Sequence, residues 1–137
     1  MNIGFYINFL VCLLITKFAF ADVVDINNKQ IIELSNTNIP IVDVRSKTEW
    51  EQTGVIPASI LLTFFDREGN YDLHEWYEKL LLEMDQSEPI ILICRSGNRS
   101  RIIAEMMDKE FDNVIYNATS GITSVSYTHL RAHETKT

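Results

Sequence analysis

Apolar and polar positions along this chain follow two rhythms. Short, dense apolar runs recur at Val23–Ile26, Ile39–Val44, Ser59–Phe65, Ile90–Ile93 and Asn113–Tyr116. Runs of this length, rich in β-branched residues, predict buried strands. Between them the apolar spacing lengthens to the helical period. Asn28 to Leu34 carries Ile31, Ile32 and Leu34, and Leu73, Trp76, Tyr77, Leu80 and Met84 fall on one helix face. Ile102, Ile103, Met106 and Phe111 line another amphipathic stretch. A shorter helix is predicted from its ends: Ser46 caps it, Glu49 occupies the capping-box position and Gly54 stops it. Asp66–Asn70 is a turn-rich loop, and Glu88-Pro89 breaks the chain before the Ile90 strand.

Strands alternating with helices predict an α/β domain of three layers, with a mainly parallel central sheet flanked by helices. Ligands of such sheets sit beyond the carboxyl ends of the strands. Asp43 and Cys94 both fall at such ends.

Before the first strand the pattern changes. Ile3 to Ile15 is almost wholly apolar, and Ala19-Phe20-Ala21 fits a signal-peptidase site. Residues 1–21 are therefore expected to be a secretory signal, with the domain occupying 22–124 and the protein exported, in a periplasmic setting. The run is short for a membrane span, which takes roughly 20 apolar residues, and Lys17 interrupts it. No stable membrane insertion is expected after cleavage; an uncleaved anchor is the alternative. Of the two cysteines, Cys12 would leave with the signal, and Cys94 would remain alone, unable to form an internal disulfide.

The composition is that of a folded globule, 46% hydrophobic and 23% charged. A net charge of −7 argues against a nucleic-acid partner, because phosphate binding needs a basic face. One cysteine and three histidines scattered over the mature chain make no metal-ligand cluster. Asn117-Ala118-Thr119 matches a glycosylation sequon, a pattern too short to be specific.

The candidate chemistry is concentrated in Cys94-Arg95-Ser96-Gly97-Asn98-Arg99-Ser100. It lies between an apolar strand and an amphipathic helix, so the thiol faces unpaired N–H groups of the first helical turn. Gly97 permits the positive φ of an anion-binding nest. A free thiol titrates near pH 8.5, and lowering that by two units takes about 2.7 kcal/mol. A helix N-terminus supplies about 0.3–1 kcal/mol, up to ~2 when partly buried. Amide hydrogen bonds and a guanidinium can supply the rest. Arg95 and Arg99 flank the thiol as candidate grips for an oxyanion, and Ser96 and Ser100 as donors to that anion or as helix caps.

With these residues in view, the chain resembles the single-domain rhodanese family of sulfurtransferases over about 100 residues, Val23 to Ile122. Cys94 to Ser100 resembles the family's active-site loop. Ile41-Val42-Asp43-Val44-Arg45, Glu49-Trp50 and Gly54-Val55-Ile56-Pro57-Ala58 resemble its earlier signature. Val55 stands where the family often has His, and Ala58 where a Gly usually follows the Pro. Val125 stands where a Trp-bearing closing helix is expected. The remainder, 125–137, lacks apolar period and resembles sequencing read-through, so this tail is expected to be non-native.

The resemblance implies sulfur transfer from a small sulfur-containing anion such as thiosulfate to cyanide or a thiol, through a Cys94 persulfide and with no cofactor. Arg95, Ser96, Gly97, Asn98, Arg99 and Ser100 would hold the donor, while Asp43 and Arg45 brace the neighbouring loop. An extracytoplasmic thiol protein is one possible acceptor. Two other readings stay open: a carrier of sulfane sulfur without turnover, and a cysteine phosphatase or arsenate reductase. The latter families resemble a Cys-x5-Arg loop, whereas four residues separate Cys94 from Arg99, a Cys-x4-Arg spacing.

Overall fold

The computed structural model describes residues 23–124. The expected signal at 1–21 and the expected non-native tail at 125–137 lie outside the described residues. Five strands and five helices follow one another: β1 (Val23–Ile26), α1 (Asn28–Ser35), β2 (Ile41–Asp43), α2 (Lys47–Thr53), β3 (Ile60–Leu61), α3 (Leu73–Leu80), β4 (Ile90–Ile93), α4 (Asn98–Glu110), β5 (Ile115–Ala118) and α5 (Gly121–Ser124). The strands form one sheet in the order β1-β5-β4-β2-β3, and every pairing is parallel. The α/β expectation holds.

Alternation along the central strands divides the core between the two faces. Ile90, Leu92 and Cys94 join Val42, Val44 and Ile115 beneath α3 and α4, where Trp76, Leu80, Ile103 and Met107 close over them. Ile91 and Ile93 turn the other way, with Ile41, Ile26 and Ile31 of α1. All four side chains of β4 are buried, which is why that strand reads as a continuous apolar run.

β2 spans Ile41–Asp43 rather than Ile39–Val44, α5 has no counterpart in the apolar pattern, and three further elements differ from the sequence reading. β3 pairs over two residues, not seven. Beyond Leu61 the edge segment keeps alternate bonds to the end of β2, Leu62 N–H to Asp43 O and Phe64 N–H to Val44 O. α3 ends at Leu80, because the next residues close three-residue turns, Leu82 N–H to Lys79 O and Glu83 N–H to Leu80 O. Met84 still reaches the core, so the apolar spacing reported burial beyond the helix. β5 begins two residues later than expected. Asn113 instead staples the loop between α3 and β4: it accepts from Tyr77 Oη at 2.6 Å and donates to the carbonyls of Gln86 and Glu88.

Among the described residues, no helix is long and apolar enough to cross a membrane, and no group of three His, Cys, Asp or Glu side chains could hold a metal ion.

Candidate active site

The chain leaves β4 at Cys94 and turns into α4 within four residues. Gly97, at φ +90°, makes the turn. It provides no capping side chain for α4, and the cysteine sulfur takes that part. Gly97 N–H donates to Cys94 Sγ at 3.1 Å, and Ser100 Oγ lies 3.5 Å from the sulfur. The backbone N–H groups of Ser96 and Ser100 also face it. Ser100 is the third residue of α4, the position from which an N-cap oxygen usually receives its bond. Burial of Cys94 pushes its thiol up, but the Ser100 hydroxyl and the N–H groups of Ser100, Ser96 and Gly97 outweigh it. The net direction is down, toward thiolate.

Two glycines lock this loop to the one after β5. A Cβ on Gly97 would run into the Thr119 backbone, and one on Gly121 into the Arg95 and Ser96 backbone. The interlock is completed by Ile122 N–H to Cys94 O at 2.8 Å and Thr123 N–H to Arg95 O at 3.3 Å. Close backbone approach fixes the loop that carries the sulfur, so its donors are set in place before any ligand arrives.

The candidate residues divide by position. Arg95, Ser96 and Asn98 are exposed around the loop. The Arg95 guanidinium has no hydrogen bond or ion pair among the described residues. Arg99 is engaged. It makes a two-pronged pair with Glu49 of α2, Nη1 to Oε2 at 2.9 Å and Nη2 to Oε1 at 2.6 Å. This hydrogen bonding to Arg99 is the main reason the Glu49 carboxyl falls from 4.5 to about 2. Ser100 is fully buried beside an equally buried Cys94, with its hydroxyl 3.5 Å from the sulfur.

Asp43 and Arg45 do not join Cys94. They form a separate buried unit, both 1% exposed. Arg45 Nε donates to Asp43 Oδ1 at 2.9 Å and Nη2 to Oδ2 at 2.7 Å. The same guanidinium holds Thr53 Oγ1 and Gly54 O at the end of α2. The pair thereby ties the end of β2 to the end of α2, the helix that carries Glu49.

Asn117 is the residue the sequence reading missed. It lies in β5, 1% exposed, with Ser100 Oγ 2.7 Å from its Oδ1. A buried side chain of this kind is no glycan acceptor in the folded domain. Its signal was parity: Asn117 stands two residues after Ile115, on the core side of an otherwise apolar strand.

The chain is similar to known proteins. A rhodanese domain-containing protein of Drosophila melanogaster is 38% identical over 68 residues, covering 47% of this chain and 61% of its own length. The chain thus spans less than two thirds of that relative. A solved rhodanese-related protein of Thermoplasma volcanium superposes with a TM-score of 0.55 at 24% identity, over 74% of this chain and 89% of its own. A solved protein of unknown function from Rhodopseudomonas palustris, described as a possible tyrosine phosphatase, gives a TM-score of 0.56 at 22% identity, over 78% and 82%. Both structures show the fold. Residues 27–127 match the rhodanese-like domain as a family, and with the sheet order, the Cys94 loop and its glycine interlock on the same span, the chain belongs to that family.

Proposed function

We propose that the protein is a sulfurtransferase that moves a sulfane sulfur from an anionic donor such as thiosulfate to a thiophilic acceptor. One observation carries this reading: Cys94 Sγ sits within a ring of N–H and O–H donors at the start of α4. Those donors favour negative charge on the sulfur, which a nucleophilic thiolate has before attack.

The cycle balances without a redox partner. The Cys94 thiolate attacks the outer sulfur of thiosulfate. A new S–S bond forms, the donor's S–S bond breaks, and sulfite leaves with the electron pair. Cys94 is then a persulfide anion, and the Ser96, Gly97 and Ser100 N–H groups are its natural stabilisers. Cyanide or a thiolate takes the terminal sulfur and returns the thiolate. Arg95, exposed and unpaired among the described residues, is the group we assign to the donor's sulfonate. Arg99 serves differently: paired with Glu49, it ties α2 to α4 beside the loop.

The phosphatase reading requires five residues between cysteine and arginine, where this loop has four, and an arginine free to grip the oxyanion, where Arg99 is held. For an exported chain the acceptor would be an extracytoplasmic thiol, small or protein-borne.

Thiosulfate-to-cyanide transfer by the full chain tests the proposal. Thiocyanate should form with the wild type and not with Cys94→Ser. Cys94-dependent hydrolysis of an aryl phosphate without thiocyanate formation would overturn it. Stoichiometric sulfur uptake that no acceptor relieves would favour the carrier instead.

A further inference from the structure

The sulfur of Cys94 ends a line of polar groups that runs to the surface beneath α4. Asp25 and Asn117 are register partners across β1 and β5, and Asn117 is paired with Leu92, two residues before Cys94. Alternation therefore puts Asp25, Asn117 and Cys94 on the same side of the sheet. Asn117 Nδ2 donates to Asp25 Oδ1 at 2.9 Å. As an acceptor-only group, the Asp25 carboxylate orients the amide, leaving the carbonyl oxygen to Ser100. The Ser100 hydroxyl then has three acceptors within reach: Asn117 Oδ1 at 2.7 Å, Gly97 O at 3.1 Å and Cys94 Sγ at 3.5 Å. A hydroxyl has one hydrogen, so it serves one of them at a time.

We propose that Asn117 is a positioning residue for Cys94 that acts through Ser100: its carboxamide oxygen holds the Ser100 hydroxyl hydrogen while the sulfur is neutral and yields it once the sulfur is negative. No covalent bond of Ser100 or Asn117 changes. The thiol proton leaves to solvent, and the hydroxyl hydrogen swings from oxygen to sulfur. The swing is favourable only toward a charged sulfur, because a charge-assisted bond is roughly twice as strong as a neutral one. Asn117 thus competes with the thiolate for its donor and raises the threshold at which the thiolate forms. Of the charged groups around this line, Asp25 pairs with Arg101, Asp43 with Arg45 and Glu49 with Arg99, while Arg95 beside Cys94 has no ion pair among the described residues.

The inference rests on Cys94 as the reactive thiol, but its test reads the thiol and not sulfur transfer. Alkylation of Cys94 by iodoacetamide, followed across pH by peptide mass spectrometry on the full chain, gives the titration midpoint. Asn117→Leu removes the competing oxygen while keeping the branched outline of the side chain, and the midpoint should fall by about one pH unit, tenfold in the protonation equilibrium. Ser100→Ala should raise the midpoint, and adding Asn117→Leu to it should cause no further change. An unchanged or higher midpoint in Asn117→Leu, or an equal shift with and without Ser100, would overturn the proposal. Should Asn117→Leu fail to fold, Asp25→Ala makes the same comparison at a side chain 44% exposed. Its downward shift should shrink in the Ser100→Ala background, and equal shifts in both would count against the proposal. A Cys94 that titrates as described yet never accepts sulfur would sink the sulfurtransferase reading and leave this one standing.

Discussion

Replacing Glu49 by Gln removes the charge that joins α2 to α4 across 50 residues of sequence. In the folded chain the Glu49 carboxyl titrates at about 2, against an ordinary 4.5, chiefly because Arg99 grips both its oxygens. At 1.36 kcal/mol per pKa unit, that depression corresponds to roughly 3 kcal/mol of folding stability. The Arg99 and Glu49 side chains are 35% and 25% exposed, so solvent screening reduces the figure to about 1–2 kcal/mol. The pH dependence follows from the direction of the shift. A carboxyl depressed on folding stabilises the native state fully above its unfolded pKa, and this contribution disappears as pH falls through the folded value. Urea unfolding of wild type and Glu49→Gln should therefore differ by about 1–2 kcal/mol at neutral pH. The gap should stay constant down to pH 4.5 and narrow toward pH 2. A gap that is the same at pH 3 and pH 7 would refute the ionic account and reduce the pair to a packing contact.

Four further substitutions probe the loop and other turns of the chain. Gly97→Ala should cost about 2–4 kcal/mol in urea unfolding, because a positive φ adds to a clash with the Thr119 backbone. Gly69→Ala, equally positive in φ but with nothing nearby, should cost only about 1–2 kcal/mol, and equal losses at the two positions would contradict the interlock. Ala58→Gly should stabilise by about 1 kcal/mol: Ala58 holds φ +62° in the turn closed by Ser59 N–H to Ile56 O, a conformation glycine adopts without strain. Unfolding of Ala58→Gly at or below the wild-type urea midpoint would show that the residue is not strained. Arg95→Ala should raise the thiosulfate KM with stability unchanged within about 0.5 kcal/mol, and an unchanged KM would remove Arg95 from donor binding.

Local pattern carried much of this architecture. The apolar run of β4, the capping box of α2 and the polar loop headed by Cys94 were all legible, because each is decided by neighbouring residues. The capping box is formed as written, with Ser46 and Glu49 bonding each other's backbone N–H groups. The same Glu49 carboxylate also reaches Arg99, and no local rule predicts a partner 50 residues away. Arg99 therefore read as a free cation beside the thiol. The β3 edge was less legible than β4 at the centre: β3 has one neighbour, β2, and its apolar residues continue past the last ladder pair. Asn117 was hidden by a competing pattern, since a sequon drew the eye from its place on the buried parity of β5. Ala58 shows the reverse case. The family's glycine was noted as missing, but only the turn geometry reveals a positive φ at that position.

The central claim is that the Cys94 sulfur takes up a sulfane sulfur and holds it as an anion among the loop donors. Intact and peptide mass spectrometry of the full chain after brief exposure to thiosulfate tests it most directly. The account predicts one added sulfur atom, located on Cys94, removed by cyanide and absent from Cys94→Ser. Cys94 left unmodified in folded protein, with sulfur taken up nowhere or only at Cys12, would contradict it.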